Sequence, residues 1–542
     1  MKVSAAIADV LRLEGISVVF GYPRNPVLEE AAKIGIRPII VRQERTGVHM
    51  ADALSRMTRG KHMGVFAMQH GPGTENAYGG VAQAYAESVP VLVLPQGYAR
   101  RLAHVRDNYN ASISMRDISK HAEPIILPNE VGNVMRRAFS QLRNGRLRPV
   151  VVEVPWDVAT EDVSEDINYQ PVVSTRSAPD PAAISHVARS LVEARRPVIY
   201  AGQGVHWANA YQELKELAEL LAAPVCTSLE GKSCFDETHP LALGSGGAAI
   251  PGQLRHFLDN SDLIFGIGCS FTETTFGVKM PVGKRVIHAT LDPADFNKSV
   301  PCEAALVGDA QLTLAMLVNA CHELLQAPRD HGPVAAEISE VEAAWMKEWL
   351  PLLTSDDTPL SPYRVLWELQ SAVDVANTII THDAGSPRDQ LSPFWKSTAP
   401  LSYIGWGKST QLGYGLGLAM GAKLAHPDKL CINVWGDAAI GFTGMDLETA
   451  VRERLPILSI LLNNHSMAIE LPVMPDATER YRATDISGNY AEFARSLGAY
   501  GERITSPTEI REAILRGVEA TKNGQPALLE FMTGKETRAS RL

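Results

Sequence analysis

Apolar residues along the chain gather in short continuous runs rather than alternating with polar ones, and the runs recur in one setting. The unit is an apolar run, a Gly-rich turn, a helix-length segment, then Pro and a second apolar run. It occurs three times. The first copy spans residues 64–94, with the turn Gly71-Pro72-Gly73 and the closing run Pro90-Val91-Leu92-Val93-Leu94. The second spans 197–228, with Gly202-Gln203-Gly204 and then Pro224-Val225-Cys226-Thr227. The third spans 430–462, with Gly436-Asp437-Ala438 and a closing run that starts at Pro456. From first Gly to Pro is 19, 22 and 20 residues, room for one crossover helix between two parallel strands. Continuous runs fit strands covered on both faces. Three such modules predict three α/β domains, each built on a mostly parallel sheet flanked by helices.

Residues 149–158 (Pro-Val-Val-Val-Glu-Val-Pro-Trp-Asp-Val) read as the last strand of the first domain, and the polar stretch 161–179 as a linker. The expected domains are 1–165, 180–326 and 355–542. At 542 residues, 45% hydrophobic and 21% charged, the chain has the balance of a multidomain globular protein. Its net charge of −10 gives no generic attraction to nucleic acid or anionic membranes. No stretch approaches 18 continuous apolar residues, so no conventional membrane helix is expected. Residues 1–20 mix Asp9, Arg12 and Glu14 into an apolar pattern and read as a folded helix and strand rather than a signal peptide. Six scattered cysteines with no Cys-x-x-Cys pair fit free thiols in a reducing cytoplasm. The final Ser540-Arg541-Leu542 resembles a peroxisomal address, a tripeptide that also arises by chance.

Ligands in open α/β sheets lie beyond the carboxyl ends of the strands. In the third copy those ends carry Gly436-Asp437 and Asn463-Asn464, so adjacent parallel strands would bring Asp437 and Asn464 together across 27 residues of sequence. A carboxylate and an amide oxygen are hard ligands suited to Mg²⁺. The backbone N–H groups of Ala438 and Ala439, at a helix start, would favour an anion. The pair describes a metal-bridged diphosphate site. The competing reading is two ordinary turns, since Gly-Asp after a strand is common and Asn-Asn often just turns.

The run from Gly436-Asp437-Ala438 through Met445-Asp446-Leu447-Glu448 to Leu462-Asn463-Asn464 resembles the thiamine diphosphate motif of the acetohydroxyacid synthase and pyruvate decarboxylase superfamily, closest to acetolactate synthase-like proteins. Ala438 departs from that motif, which has Gly at the third position. Gln43-Glu44, the helix after it and Gly71-Pro72-Gly73 resemble the pyrimidine-binding domain. Segment 405–422 and Asp383-Ala384-Gly385-Ser386 resemble the start of the diphosphate domain. Together these cover essentially the whole chain in the family's order of pyrimidine-binding, middle and diphosphate-binding domains.

The resemblance implies the cofactors thiamine diphosphate and Mg²⁺ and assigns residues to them. Glu44 would contact N1′ of the aminopyrimidine, and burial at an apolar interface would raise its pKa to suit proton exchange. An ordinary solvated charge between Arg42 and Arg45 is the other reading. Leu412 would be the apolar wedge that bends the cofactor, and the carbonyl of Thr410 would receive the 4′-amino group. Gly385 and Ser386 would reach the diphosphate. Asp437, Asn464 and the carbonyl of Ser466 would hold the metal. Gly71, Asn76, Gly436, Ala438, Ala439 and Met467 complete the expected cofactor-binding set. Gly407-Lys408-Ser409 is not a P-loop, because Ser402 stands where the motif needs Gly.

Two further residues bear on the reaction. Glu470 matches an active-site acid of the decarboxylase branch. His70, before the Gly-Pro-Gly turn, stands where the synthase branch has a small hydroxyl residue; it would shuttle protons or bind a carboxylate, or simply bond to backbone in the turn. The decarboxylase branch's paired histidines are not visible after the Pro90 strand, and Gln96, Tyr109 and Asn110 lie in the region that faces substrate. In the middle domain Gly202-Gln203-Gly204 and Asp292 give a weak nucleotide signal with no distinctive match to relatives that hold FAD or ADP there.

The leading expectation is decarboxylation of a small 2-oxo acid followed by carboligation. The alternatives are a simple 2-oxo acid decarboxylase and an enzyme acting on acyl-CoA. A dinucleotide oxidoreductase is disfavoured, because Trp207 breaks the Gly-x-Gly-x-x-Gly pattern. The family arrangement implies a homodimer or homotetramer with active sites between subunits, Glu44 from one chain and Asp437 from another, and no nucleic-acid or membrane partner.

Overall fold

The computed structural model describes residues 1–164 and 167–541. Residues 165 and 166, in the expected linker and at the expected end of the first domain, and Leu542 of the final tripeptide lie outside the described residues. The chain builds three six-stranded sheets, and every strand pair in them is parallel. The expected mostly parallel sheets are thus wholly parallel. The first has β1 (Val18–Gly21), β2 (Arg37–Ile40), β3 (Gly64–Met68), β4 (Val91–Gly97), β5 (His121–Pro124) and β6 (Val150–Pro155), in spatial order 2-1-3-4-6-5. The second has β7 (Pro197–Ala201), β8 (Val225–Ser228), β9 (Ala242–Gly246), β10 (Leu263–Ile267), β11 (Arg285–Thr290) and β12 (Ala304–Val307), in order 12-11-10-7-8-9. The third has β13 (Thr378–His382), β14 (Tyr403–Ile404), β15 (Leu430–Gly436), β16 (Leu458–Asn463), β17 (Tyr500–Ile504) and β18 (Ala527–Met532), in order 14-13-15-16-18-17. Relabelled from its own first strand, the third sheet repeats the order of the first. The second, read from its other edge, is 3-2-1-4-5-6, the order of dinucleotide-binding sheets.

The three sequence repeats are the crossovers β3–β4, β7–β8 and β15–β16, with helices covering both faces of their buried strands. Only the first is a single helix, Pro72–Ala86; the second divides into Gly204–Ala208 and Tyr211–Leu221, and the third into three short pieces from Asp437 to Arg452. The first and third domains meet through the helices Glu44–Met57 and Tyr414–Ala425. Their axes come close because Gly417 and Gly421 face the partner: a Cβ there would stand 3.0 Å from Thr46 O and 2.4 Å from Met50 O. One apolar core therefore runs through both domains, with Val48, Met50, Leu418 and Met420 among its members. Arg56 and Asp52 form a buried ion pair at this seam (2.6 Å), and the Tyr414 hydroxyl donates to Asp52 at 2.6 Å.

The long helix Gly332–Leu353 leads from the second domain to the third, and the C-terminal tail closes over the same junction. Ser540 is buried, accepts from Trp345 Nε1 (3.0 Å) and donates to Ile250 O (2.7 Å), while Arg541 donates to Asp389 at 2.8 Å. Of the final tripeptide, Ser540 is thus packed into the fold, while Arg541 stays exposed at the surface. No helix among the described residues is long and apolar enough to cross a membrane. Of the six cysteines, five are buried and Cys302 is half-buried, all as free thiols.

Candidate active site

The order 2-1-3-4-6-5 reverses direction beside its first strand, and a crevice opens there beyond the carboxyl ends. In the third sheet that place lies between β13 and β15. Gly385, just past β13, has φ 83° and caps the helix Ser386–Leu391, a conformation only glycine adopts without strain. Gly436 and Asp437 follow β15, and Asn464 follows β16. Asp437 is 4% exposed; its Oδ2 accepts from the Ser466 N–H (3.1 Å), and Asn464 Oδ1 accepts from the same N–H at 2.9 Å. The two oxygens expected to converge do so on one donor. Burial pushes the Asp437 carboxyl above the usual carboxylate range, and the N–H groups of Ser466, Ala438 and Asn464 pull it back. A buried carboxyl with this tendency gains from a cation beside it.

Among the described residues no three or more His, Cys, Asp or Glu side chains gather as a metal cage. The donor set at Asp437 and Asn464, carboxylate and amide oxygen next to a backbone carbonyl, is the hard, oxygen-only kind that suits Mg²⁺. The Ala438 N–H donates to Asp437 Oδ1 at 2.9 Å, the short span between a side chain and the next amide. Ala439 is buried behind it, the Tyr490 hydroxyl donates to Asp437 O (3.3 Å), and the Met467 N–H is taken by Thr484 O (2.8 Å).

Between β14 and the helix Tyr414–Ala425 runs the segment with Thr410 and Leu412. Thr410 adopts left-handed backbone at φ 53°, and Gly413 follows at φ 84°. Asp383, fully buried, accepts from the N–H groups of Ala384 (2.9 Å), Gly413 (2.9 Å) and Gly415 (3.0 Å), and Thr443 Oγ1 donates to Gly413 O at 2.8 Å. Burial raises the Asp383 carboxyl to about 6 against those three donors. Leu412 is half-buried and packs on the shared core. Sequence reasoning quoted Asp383 only as part of a motif; its work of fixing this segment has no signal in the sequence.

Glu44 opens the helix after β2 and is 3% exposed. Its Oε2 accepts from Asn76 Nδ2 at 3.1 Å, and burial pushes its carboxyl up, as the interface argument requires; Asn76 pulls it down and Asp446 adds to the rise. Gly71 (φ 64°) caps the helix Pro72–Ala86. The Tyr109 hydroxyl lies 2.8 Å from Gly71 O and 3.0 Å from Glu75 Oε1. The His70 ring stands 4.5 Å from that of Tyr98, and its Nδ1 is buried without a hydrogen-bond partner. Glu44 and Asn76 are thus bonded to each other, while Gly71 and His70 lie in the turn that follows β3. Glu470 lies half-buried on the turn Ala468–Glu470, on the third-domain side.

Within one chain the two sets are not bonded to each other. The Arg42 N–H donates to Asp446 at 2.7 Å and Arg45 lies over the Phe442 ring, so the start of the Glu44 helix packs beside the segment 442–446. Among the described residues no hydrogen bond or ion pair joins Glu44 or Asn76 to Asp437, Asn464 or Ser466.

Models of the N-terminal, central and C-terminal domains of thiamine pyrophosphate enzymes match residues 1–120, 184–317 and 383–531. The probable acetolactate synthase large subunit of Methanocaldococcus jannaschii is 30% identical over 98% of this chain and 92% of its own length. The chain belongs to the thiamine pyrophosphate enzyme family. It is a thiamine diphosphate-dependent enzyme, similar also to the Escherichia coli acetolactate synthase isozyme 3 large subunit (29% identical over 94% of this chain and 91% of that one). Benzoylformate decarboxylase from Polynucleobacter necessarius shares the fold, with a TM-score of 0.84 at 20% identity and 99% of both chains covered.

This member of the family carries a cavity of about 630 Å³ on the middle domain, walled by Gly204, Cys269, Asp292, Asp309, Arg146 and Lys408. It opens at the switch point between β7 and β10. Gly202 and Gly204 allow the turn after β7 to pack closely on the turn after β10: a Cβ on Gly202 would stand 2.5 Å from Gly268 O, and one on Gly204 2.7 Å from Gly268 Cα. The Gly204 N–H donates to Gly268 O at 2.8 Å.

Proposed function

We propose that the enzyme decarboxylates a small 2-oxo acid and joins the remaining acyl unit to a second carbonyl compound. Similarity to acetolactate synthase large subunits along 98% of the chain carries this choice. Bound thiamine diphosphate supplies a nucleophilic carbon and a ring able to take up negative charge. Asp437, Asn464 and the Ser466 carbonyl would hold Mg²⁺, and Gly385 and Ser386 would help hold the diphosphate. Leu412 would brace the cofactor, and the Thr410 carbonyl would accept its 4′-amino group. Glu44, kept ready for a proton by burial, would hold and release the proton exchanged with the aminopyrimidine. His70 and Glu470 would move protons to and from the substrate. Pairing Glu44 of one chain with Asp437 of another would place the active sites between two chains, in a dimer or a tetramer.

Simple decarboxylation is the second reading, supported by the half-buried Glu470 near the metal ligands. The middle-domain cavity supports an additional nucleotide such as FAD or ADP, since its sheet order matches dinucleotide-binding sheets. Proton NMR of products from a pool of small 2-oxo acids separates these readings. An acetohydroxy acid or 2-hydroxy ketone formed only with thiamine diphosphate and Mg²⁺ supports carboligation. Aldehyde alone replaces it with decarboxylation, and no consumption overturns both.

A further inference from the structure

A fully buried carboxyl outside the expected catalytic set lies where all three domains meet. Glu87 follows the helix Pro72–Ala86, is 0% exposed and reaches into the third domain. Its Oε1 accepts from the N–H groups of Gly407 (3.1 Å) and Lys408 (2.8 Å) and from Gln83 Nε2 (3.0 Å). Gln83, one turn earlier, accepts the Gln411 N–H at 2.9 Å. Two side chains of one first-domain helix therefore hold both ends of segment 407–411. Within it Thr410 keeps φ 53°, and Leu412 comes next. Asp383 and Thr443 fix the following residue, Gly413, from inside the third domain. The direction of the Thr410 carbonyl is thus set by both domains.

Glu87 Oε2 is buried with no hydrogen-bond partner. The charged and titratable groups facing the carboxyl are Glu230 of the middle-domain turn Leu229–Gly231, Lys408 on the held segment, Arg56 of the helix Glu44–Met57 and Tyr414 of the helix Tyr414–Ala425. Burial and then Glu230 push Glu87 up, while Lys408 and Arg56 pull it back, and it settles at about 7. An ionised carboxylate accepts from N–H groups more strongly than a neutral acid. Its grip on the segment strengthens as pH rises through neutrality.

We propose that Glu87, with Gln83, is a positioning residue that sets the conformation of segment 407–411 and makes cofactor affinity depend on the charge of its carboxyl. The proposal rests on the reading of Thr410 and Leu412 as cofactor contacts. Glu87 acts through the backbone it holds and reaches no reacting atom.

Calorimetric titration of the full-length protein with thiamine diphosphate and Mg²⁺, without substrate, tests it at pH 6 and pH 8. The cofactor's own titration cancels in the ratio of Kd for Glu87→Gln to Kd for the wild type. That ratio is expected to lie near one at pH 6 and to reach about tenfold at pH 8, the difference between a charge-assisted and a neutral hydrogen-bond set. Glu87→Ala leaves two buried N–H groups without an acceptor and weakens binding at both pH values. The Gln variant, similar in size and still an acceptor, decides the matter if the Ala variant does not fold. A ratio that is the same at pH 6 and pH 8 overturns the role of Glu87 alone. A wild type that binds no thiamine diphosphate at either pH overturns the cofactor reading and this proposal with it.

Discussion

Asn76 donates its Nδ2–H to Glu44 Oε2 at 3.1 Å, joining the helix that follows β3 to the one that follows β2. This bond favours the charged carboxyl while burial favours the neutral one. Removing it with Asn76→Ala moves the pKa of Glu44 upward, because the charged form loses a hydrogen bond. The limb of the kcat/KM profile that reports Glu44 is expected to shift to higher pH. An unmoved profile would separate Glu44 from that limb.

Asp437 is the only carboxylate among the proposed metal ligands. Asp437→Asn keeps the shape and removes the charge, and the affinity for thiamine diphosphate in the presence of Mg²⁺ is expected to fall by at least about a hundredfold. Titration without Mg²⁺ is expected to show little difference between variant and wild type. Unchanged Mg²⁺-dependent binding contradicts the assignment.

Thr410 spends free energy on a left-handed backbone, on the order of 1 kcal/mol for a residue with a Cβ. Only its carbonyl is assigned a role. Thr410→Gly is therefore expected to raise thermal stability slightly and to leave turnover within about twofold, whereas Thr410→Ala keeps the strain. Thermal melts of the two variants beside the wild type distinguish them.

Glu87 also carries a stability signature. Its carboxyl is held at about 7 in the folded chain, above the ordinary value of 4.5, so folding favours its protonated form. That contribution is complete below the ordinary carboxylate range and is lost as pH rises through about 7. The melting temperature of Glu87→Gln, measured against the wild type, is expected to gain between pH 5 and pH 7.5 and then level off. The full change corresponds to on the order of 3 kcal/mol. A constant difference over that range contradicts a raised pKa.

Much of the architecture is legible in the runs themselves. The apolar stretches at 64–68, 91–94 and 457–462 are continuous because both faces of those strands are covered, and each repeat is a parallel pair. The convergence of Asp437 on Asn464 follows from strand adjacency alone. Strand order is another matter. It depends on pairings between strands far apart in sequence, such as β13 with β15 and β16 with β18, and an apolar run does not name its neighbour. The bond from the Ala438 amide to the preceding carboxylate is hidden for a similar reason, since helix-start geometry does not reveal it. Gln83 and Glu87 look like ordinary polar helix positions, and only the fold shows the third-domain backbone against them.

The exchange of the C2 hydrogen of bound thiamine diphosphate for deuterium, followed by quenched-flow NMR without substrate, most directly tests the claim that Glu44 drives proton exchange on the cofactor. The wild type is expected to exchange far faster than the free cofactor. Glu44→Gln is expected to bind thiamine diphosphate within about threefold of the wild type and to exchange at least about a hundredfold more slowly, the usual scale for losing a positioned acid–base group. A Glu44→Gln variant that binds the cofactor and exchanges at the wild-type rate would contradict the account.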